Sequence, residues 1–509
     1  MKWVLFFSSL NLLFTSCKQS SDIVKAEVQY ATYCGSCHLP PDPAHITKSI
    51  WKNKILPDMA SRLGYEFLAP DLQGFNFHDR NVYEYTVKNK TVAKIDSVTW
   101  NLIYKYIMAL APDTILLDTM LARRDLELAR FEFFPISLGE NQSTSMVSSV
   151  QFDSESNQFV IGDAFSQSIY NWPFALDSTV KVDKETLHFA SPLTSVTNES
   201  DTRLIAESGY LFPNNKPLGT LYEIRESSVD TVMSNLFRPV FIKTTDLNED
   251  GINEILICEF GNRTGQLSML VKSDIGYQKS SLLSVPGTTK LEIIDMNADG
   301  LGDIVVLASQ GNEGIHILYN EGDLKFKTDQ VIQMQPEYGS SWFQLIDYNK
   351  DGHLDVVLTN GDNGDFSVFA KPYHGVRLFI NNGLNQFSEE WFYPIYGATR
   401  VLVEDYDLDG DLDFAVMSFF PDYTTSPEEG FVYLENEDAN RYEFVSYTFQ
   451  ESLSGRWMVM DHGDFDQDGD VDIMLGSYTL PVNKKYRSIM EGWKTSGINL
   501  QLLKNNTTK

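Results

Sequence analysis

The sequence predicts a multidomain chain: a small all-α domain, then an all-β propeller of seven blades. Three observations predict it. A nine-residue loop rich in Asp, Asn and Gly is written five times, beginning at Asp246, Asp295, Asp347, Asp405 and Asp464. Short strand-like runs surround each copy, and the copies start 49, 52, 58 and 59 residues apart, the length of a four-stranded repeat. Near the start stands Cys34-Gly35-Ser36-Cys37-His38, and Ser97–Pro112 has the three- and four-residue apolar steps of a helix.

The first residues read as a targeting segment. Met1–Ser16 has one Lys, an apolar run from Trp3 to Phe14, then small residues before Cys17. The run is too short to span a bilayer, so a signal peptide over 1–16 is expected. Leu13-Phe14-Thr15-Ser16-Cys17 resembles a bacterial lipoprotein cleavage site, which implies lipidation at Cys17 and a tether over 17–26. The resemblance implies a place in the cell envelope, at the outer membrane on its periplasmic or surface side, held only through lipid.

Residues 27–113 form the expected α-domain, with 114–127 as linker. Two thiols spaced as Cys34 and Cys37 can add to the two vinyl groups of one porphyrin edge. His38 then lies beneath the iron as proximal ligand, which is why C-x-x-C-H reads as attachment of haem c. A thioredoxin-like pair would need a βαβ context, and zinc would need further Cys or His at ligand spacing. For the sixth ligand Met59, after Pro57, is the expected residue, because a thioether favours ferrous iron and raises the potential. His45, His78, Met108 and an open position are the alternatives. The last helix is expected to begin at Ser97 as N-cap and to stop at Pro112. This segment resembles class I c-type cytochromes, which implies one covalent haem, His/Met ligation and electron transfer.

Residues 128–509 form the expected propeller. In each loop, oxygen ligands at positions 1, 3 and 5, a Gly at 6, a backbone carbonyl at 7 and an acid at 9 build a hard, oxygen-only shell suited to calcium. The loops supply Asp246, Asn248, Asp250, Ile252 and Glu254, then Asp295, Asn297, Asp299, Leu301 and Asp303. Next come Asp347, Asn349, Asp351, His353 and Asp355, then Asp405, Asp407, Asp409, Asp411 and Asp413. The fifth supplies Asp464, Asp466, Asp468, Asp470 and Asp472. They are not EF-hands, because no helices flank them and the acid stands at position 9 rather than 12. The units resemble FG-GAP (VCBS) repeats of integrin-α-like propellers, which implies up to five Ca²⁺.

Two weaker units, Val150–Gly162 and Leu193–Ala206, lack the ligand set and bring the count to seven blades with five metal loops. The last unit stops after a third strand over Ile498–Leu503, and the stray run Arg130–Pro135 is expected to complete it and close the ring. Cys258, within Ile255-Leu256-Ile257-Cys258, reads as a core thiol.

Composition and inserts frame the function. A net charge of −30 argues against nucleic acid or an anionic membrane surface as partner. Of the 70 acidic residues, 20 lie in the five loops, so bound cations would relieve much local repulsion. No catalytic set is evident in the propeller, and the chain reads as an electron carrier and binding protein with a redox partner in the envelope. Two alternatives are a redox enzyme, such as a carbohydrate dehydrogenase feeding electrons to the haem, and an adhesion or glycan-binding module. Three inserts, Asp362–Gly375, Phe419–Gly430 and Tyr478–Gly497, are expected on the propeller face opposite the calcium loops. They bring Phe366, Phe369, Tyr373, Phe419, Phe420, Tyr423, Tyr486 and Trp493 with Lys484, Lys485 and Arg487, a candidate docking surface for a protein or glycan.

Overall fold

A computed structural model describes residues 23–65, 94–115, 124–139, 144–173, 183–186, 191–199, 202–225, 228–362, 371–479 and 486–508. The chain divides into two compact units, one ending at Leu116 and including Met334–Glu337, the other formed by the rest.

The regular elements described in the first unit are all helical. A helix over residues 23–34 ends at the Cys-Gly-Ser-Cys-His turn. Lys48–Ile50 and Leu56–Arg62 are α-helical and flank a π-helical turn, Trp51–Ile55. The helix Ser97–Leu110 places Trp100, Ile103 and Ile107 on its buried stripe. These join Tyr30, Trp51, Leu56 and Ala60 in one core. The cap differs from the sequence expectation. Asp96 is the N-cap, its carboxylate accepting the Val98 and Thr99 amides at 2.8 and 2.9 Å. Its backbone is extended while Ser97 is already helical, and an Asp side chain reaches the orphan amides as readily as Ser does.

The second unit is a seven-bladed β-propeller, with four antiparallel strands in each blade. Blade 1 holds Val147–Asp153, Gln158–Asp163, Ser168–Pro173 and Asp183–Thr186. Blade 2 runs from Leu193–Glu199 to Ser228–Leu236, blade 3 from Pro239–Thr245 to Gly276–Leu283, and blade 4 from Thr288–Ile294 to Phe326–Gln333. Blade 5 runs from Ser340–Ile346 to Phe387–Pro394, and blade 6 from Ala398–Glu404 to Glu443–Tyr447. The first strands of successive blades meet around the ring, that of blade 7 (Trp457–Gly463) returning to blade 1.

Each metal-type loop joins the first strand of a blade to the second. The second strands Asp303–Ala308, Asp355–Asn360, Asp413–Ser418 and Asp472–Ser477 are buried at every position. That explains their unbroken apolar runs: both faces of the sheet pack on neighbouring blades, so no alternation is required. Cys258 lies in such a strand of blade 3, fully buried as a core thiol.

Blade 7 closes the ring as the sequence suggests, with strand ends displaced by one or two residues. Its third strand is Leu500–Asn505 and its fourth is Phe131–Ile136, paired antiparallel from Phe131 opposite Asn505 to Ile136 opposite Leu500. The two ends of the propeller sequence therefore share one sheet, in which Phe131–Ile136 is the outer strand and Leu500–Asn505 is paired on both sides.

Candidate functional site

In the helical unit, Cys34 and Cys37 are both free thiols, the first half-buried and the second exposed. The helix that carries Cys34 ends there, and the Gly35 amide caps it by donating to the Ala31 carbonyl at 3.0 Å. His38 follows in an irregular bend, with Nδ1 2.6 Å from the Leu39 carbonyl oxygen. An N–H at Nδ1 donating to that carbonyl leaves Nε2 as the free base, the tautomer an iron ligand needs. Burial pushes the Cys34 thiol up to about 12. A thioredoxin-like attacking thiol needs the opposite shift, so Cys34 is not poised for that role. The residues present therefore fit a covalently held haem. Met59, on the helix Leu56–Arg62, packs against the same core as Cys34, and Met108 also reaches that core. His45 lies on a short 3₁₀ turn, Pro43–His45. His78 and Cys17 lie outside the described residues.

In the propeller, the five loops share one turn. The position-1 carboxylate accepts the position-6 amide in all five and the position-5 amide in blades 3 to 6, as from Gly300 and Asp299 to Asp295 at 2.8 and 3.2 Å. Position 3 accepts the position-5 amide and position 5 accepts that of position 7, as at Asn297 and Asp299. Position 4 is left-handed in every loop, with φ from 58° to 61° at Glu249, Ala298, Lys350, Leu408 and Gln467, and the following Gly at position 6 is left-handed too. Two consecutive tight reversals fold three oxygen-bearing side chains toward one point. In blades 6 and 7 the carboxylate oxygens of Asp405, Asp407 and Asp409, and of Asp464, Asp466 and Asp468, lie within 4.8 Å of one another. Each bonded oxygen retains a lone pair. Asp464 Oδ1 is buried with no hydrogen-bond partner, as are Asp411 Oδ1 and Asp470 Oδ1, an arrangement that suits a cation.

The ninth-position acids do more than the sequence reading gave them. Asp303 is fully buried, and its oxygens accept the Met296 amide of its own loop at 2.9 Å and the Asn320 amide of the third strand at 2.8 Å. Asp355 does the same with Tyr348 and Asn381. Asp413 and Asp472 take the Asn436 and Asn505 amides, each at 2.8 Å. These carboxylates clip the loop to the sheet. The asparagines were missed from sequence. Their side chains carry the clip to the preceding blade, Asn320 to the Leu247 carbonyl and Asn505 to the Tyr406 carbonyl, at 2.9 and 2.8 Å. The available signal was an Asn recurring at the end of third strands.

Burial, followed by neighbouring carboxylates, raises these acids. Asp413 and Asp472 are pushed up to about 7, and Asp411 to about 6. An acid raised in the fold binds more protons folded than unfolded across the window from about 4 to about 7. Stability of the metal-free propeller should therefore fall as pH rises through that window. Melting temperatures in chelator should be higher at pH 5 than at pH 7.5, and added Ca²⁺ should restore the loss at pH 7.5. A chelated protein that gains stability as pH rises from 5 to 7.5 would overturn this assignment.

The inserts do lie between second and third strands, but the described aromatics pack on one another. Phe419 and Phe420 meet at 4.9 Å, and the Arg456 guanidinium lies 3.7 Å from the Phe419 ring centroid. Tyr423 from the blade-6 insert contacts Tyr486 and Trp493 from the blade-7 insert at 5.4 and 5.7 Å. Trp493 is buried, its indole N–H donating to the Leu453 carbonyl at 3.1 Å. Part of the blade-7 insert is the helix Arg487–Ser496, closed by left-handed Gly497. Arg487 is paired with Glu491, and Tyr373 is buried against Tyr338. Phe366, Phe369, Lys484 and Lys485 lie outside the described residues. Trp493→Ala should therefore destabilise the propeller by about 3 kcal/mol in a denaturant melt; an unchanged midpoint would mark Trp493 as free for a partner.

On the loop face, blades 1 and 2 lack the nine-residue loop, and a polar cleft of about 430 Å³ opens there. Gln151, Asp153, Glu155, Thr197 and Asn198 line it, with Asn253 from the blade-3 loop. Asp153 is fixed by Ser156 Oγ at 2.5 Å and by the Asn198 side-chain amide at 2.7 Å.

A family model described as FG-GAP-like repeat matches residues 295–358, from the blade-4 loop to the second strand of blade 5. No curated protein matches the chain. Among the described residues, no helix is long and apolar enough to cross a membrane.

Proposed function

We propose that the chain is an exported, lipid-anchored electron-transfer protein, with one haem c in its helical unit and a calcium-binding propeller for docking. The FG-GAP-type propeller supports a ligand-binding or docking role on its own. The carrying observation for haem is the pairing of two free thiols with His38, whose Nδ1 is engaged by the Leu39 carbonyl. Cys34 and Cys37 would hold the porphyrin edge, His38 the iron, and Met59 is the proposed distal ligand. Haem would supply one-electron chemistry, and the chain's residues would fix its position and shield one face from water. Cys17 is the proposed lipid attachment, which would keep the carrier in the envelope beside a redox partner. The first test is the intact mass of the full chain made in a bacterium able to attach haem c. The expected product carries the mass of one haem; an unmodified chain from such a host would remove the electron-transfer reading.

A glycan-binding role is favoured by one specific feature, the loop-face cleft. Its described lining offers amides, carboxylates and hydroxyls, and the guanidinium that touches it, Arg203, is bonded to Asn198 Oδ1 at 2.9 Å, which suits neutral hydroxylated ligands over anions. A glycan array probed with the full chain, with Asp153→Ala as control, tests it. Binding lost in the variant supports that site, and binding unaffected by the variant removes it.

A further inference from the structure

The five loops are not equivalent. In blades 3, 4 and 5 the third position is Asn248, Asn297 and Asn349; in blades 6 and 7 it is Asp407 and Asp466. The seventh position divides the same way, with Ile252, Leu301 and His353 against Asp411 and Asp470. The two loops with the added acids also have a basic side chain against them. The Lys504 ammonium contacts Asp466 and lies 3.2 Å from Asp468 Oδ2, with Lys504 itself buried. Arg130 reaches Asp407 Oδ2 at 3.2 Å and also pairs with Glu435. Among the described residues, no Lys or Arg forms an ion pair with a carboxylate of the blade-3, blade-4 or blade-5 loops.

Both cations come from the seam that closes the ring. Lys504 is on the third strand of blade 7, and Arg130 immediately precedes its fourth strand. The loop beside Lys504 is also altered. Asp468 N donates to Asp466 at 3.3 Å, whereas in blades 3 to 6 the position-5 amide also bonds the first aspartate, at 3.0–3.2 Å. An ammonium drawn to positions 3 and 5 shifts the loop away from that bond.

We infer that Lys504 is the resident cation of the blade-7 loop and Arg130 the counter-charge of the blade-6 loop, so the seam tolerates loss of calcium that blades 3 to 5 do not. This rests on the reading of the loops as calcium sites. A divalent ion entering the blade-7 loop must displace a buried ammonium from two of its oxygens, whereas at blades 3 to 5 it has only to turn aside the neutral side-chain amide of the third-position Asn, which donates to the fifth-position Asp at 2.9–3.0 Å. Each added third-position aspartate is matched by one basic side chain, while the added seventh-position acids Asp411 and Asp470 are not ion-paired among the described residues.

The test is calcium titration of the chelated full chain by calorimetry and native mass spectrometry, for the natural protein and for Lys504→Met. The natural protein should bind three ions in its tight phase, and Lys504→Met should gain a fourth, with affinity at the blade-7 loop raised on the order of tenfold. Five equivalent ions in the natural protein, or no gain in Lys504→Met, would overturn the inference while leaving calcium binding intact. No binding at all would instead remove the calcium reading of every loop. Hydrogen exchange on the natural protein decides the matter if Lys504→Met does not fold. On chelation, amides of the blade-3 to blade-5 loops should lose protection while those of 131–136 and 500–505 keep it; equal loss at the seam would overturn the inference.

Discussion

Cys34→Ala or Cys37→Ala should abolish covalent haem in a chain exported by a host that attaches haem c. The full chain should keep a haem stain after denaturing electrophoresis, and each variant should lose it or fall to a trace. The effect is expected to be near total because the two thioether bonds would be the only covalent link, and no other cysteine lies near in sequence: Cys17 precedes the domain and Cys258 is sealed in blade 3. A His38→Ala variant should bind weakly, since the iron would lose the imidazole that Leu39 orients. Met59→Ala tests a separate claim. It should remove the sulfur-to-iron charge-transfer band and shift a low-spin ferric spectrum toward a weak-field or open position. Retention of that band in Met59→Ala would transfer the distal role to Met108, which packs on the same core. A stain undiminished in Cys34→Ala and Cys37→Ala alike would end the haem assignment.

Much of the propeller was legible because its signals are local. A loop that places oxygen at positions 1, 3 and 5 and Gly at 6 determines its own turn, so five copies gave five loops and the spacing gave the blades. Seven blades and the closing strand followed from counting strands, because an unpaired third strand and a stray fourth belong together. What escaped was non-local. Nothing near Asp303 in sequence announces that Asn320 will meet it, since their contact depends on the strand between them. The same acid at position 9 is compatible with a metal or with a backbone clip, and only burial shows the clip. The insert aromatics looked like an exposed surface because their partners lie on a different insert: Tyr423 and Trp493 are distant in sequence and meet across two blades. Likewise, Lys504 and Arg130 read as ordinary strand residues until the seam places them beside acidic loops.

The seam should also be where the propeller is most sensitive to mutation. Phe131 begins the closing strand, is buried, and contacts Tyr433 and Tyr406 at 5.6 and 6.0 Å. Phe133, two residues on, stacks on Phe449 at 4.2 Å. Both join the apolar cluster that holds Trp457 and Leu503 of blade 7 and Met417 of blade 6. Phe131→Ala should cost about 3–5 kcal/mol, because the cavity opens between two blades that cannot collapse without breaking the ladder. The control is Val229→Ala on the outer strand of blade 2, where the side chain is 45% exposed; it should stay within about 0.5 kcal/mol. Deleting 124–136 goes further. It exposes the amides and carbonyls of Leu500–Asn505 as an open edge, so the deletion protein should associate into larger species by light scattering as well as melt lower. Addition of a synthetic peptide matching 128–138 should reverse part of that association by restoring the fourth strand. If Phe131→Ala melts like Val229→Ala and the deletion protein stays monomeric, the ring is held by its blade interfaces and the shared sheet is incidental. Equal melting of the two single variants with association of the deletion protein would instead place the contribution in the backbone ladder rather than in the Phe131 ring.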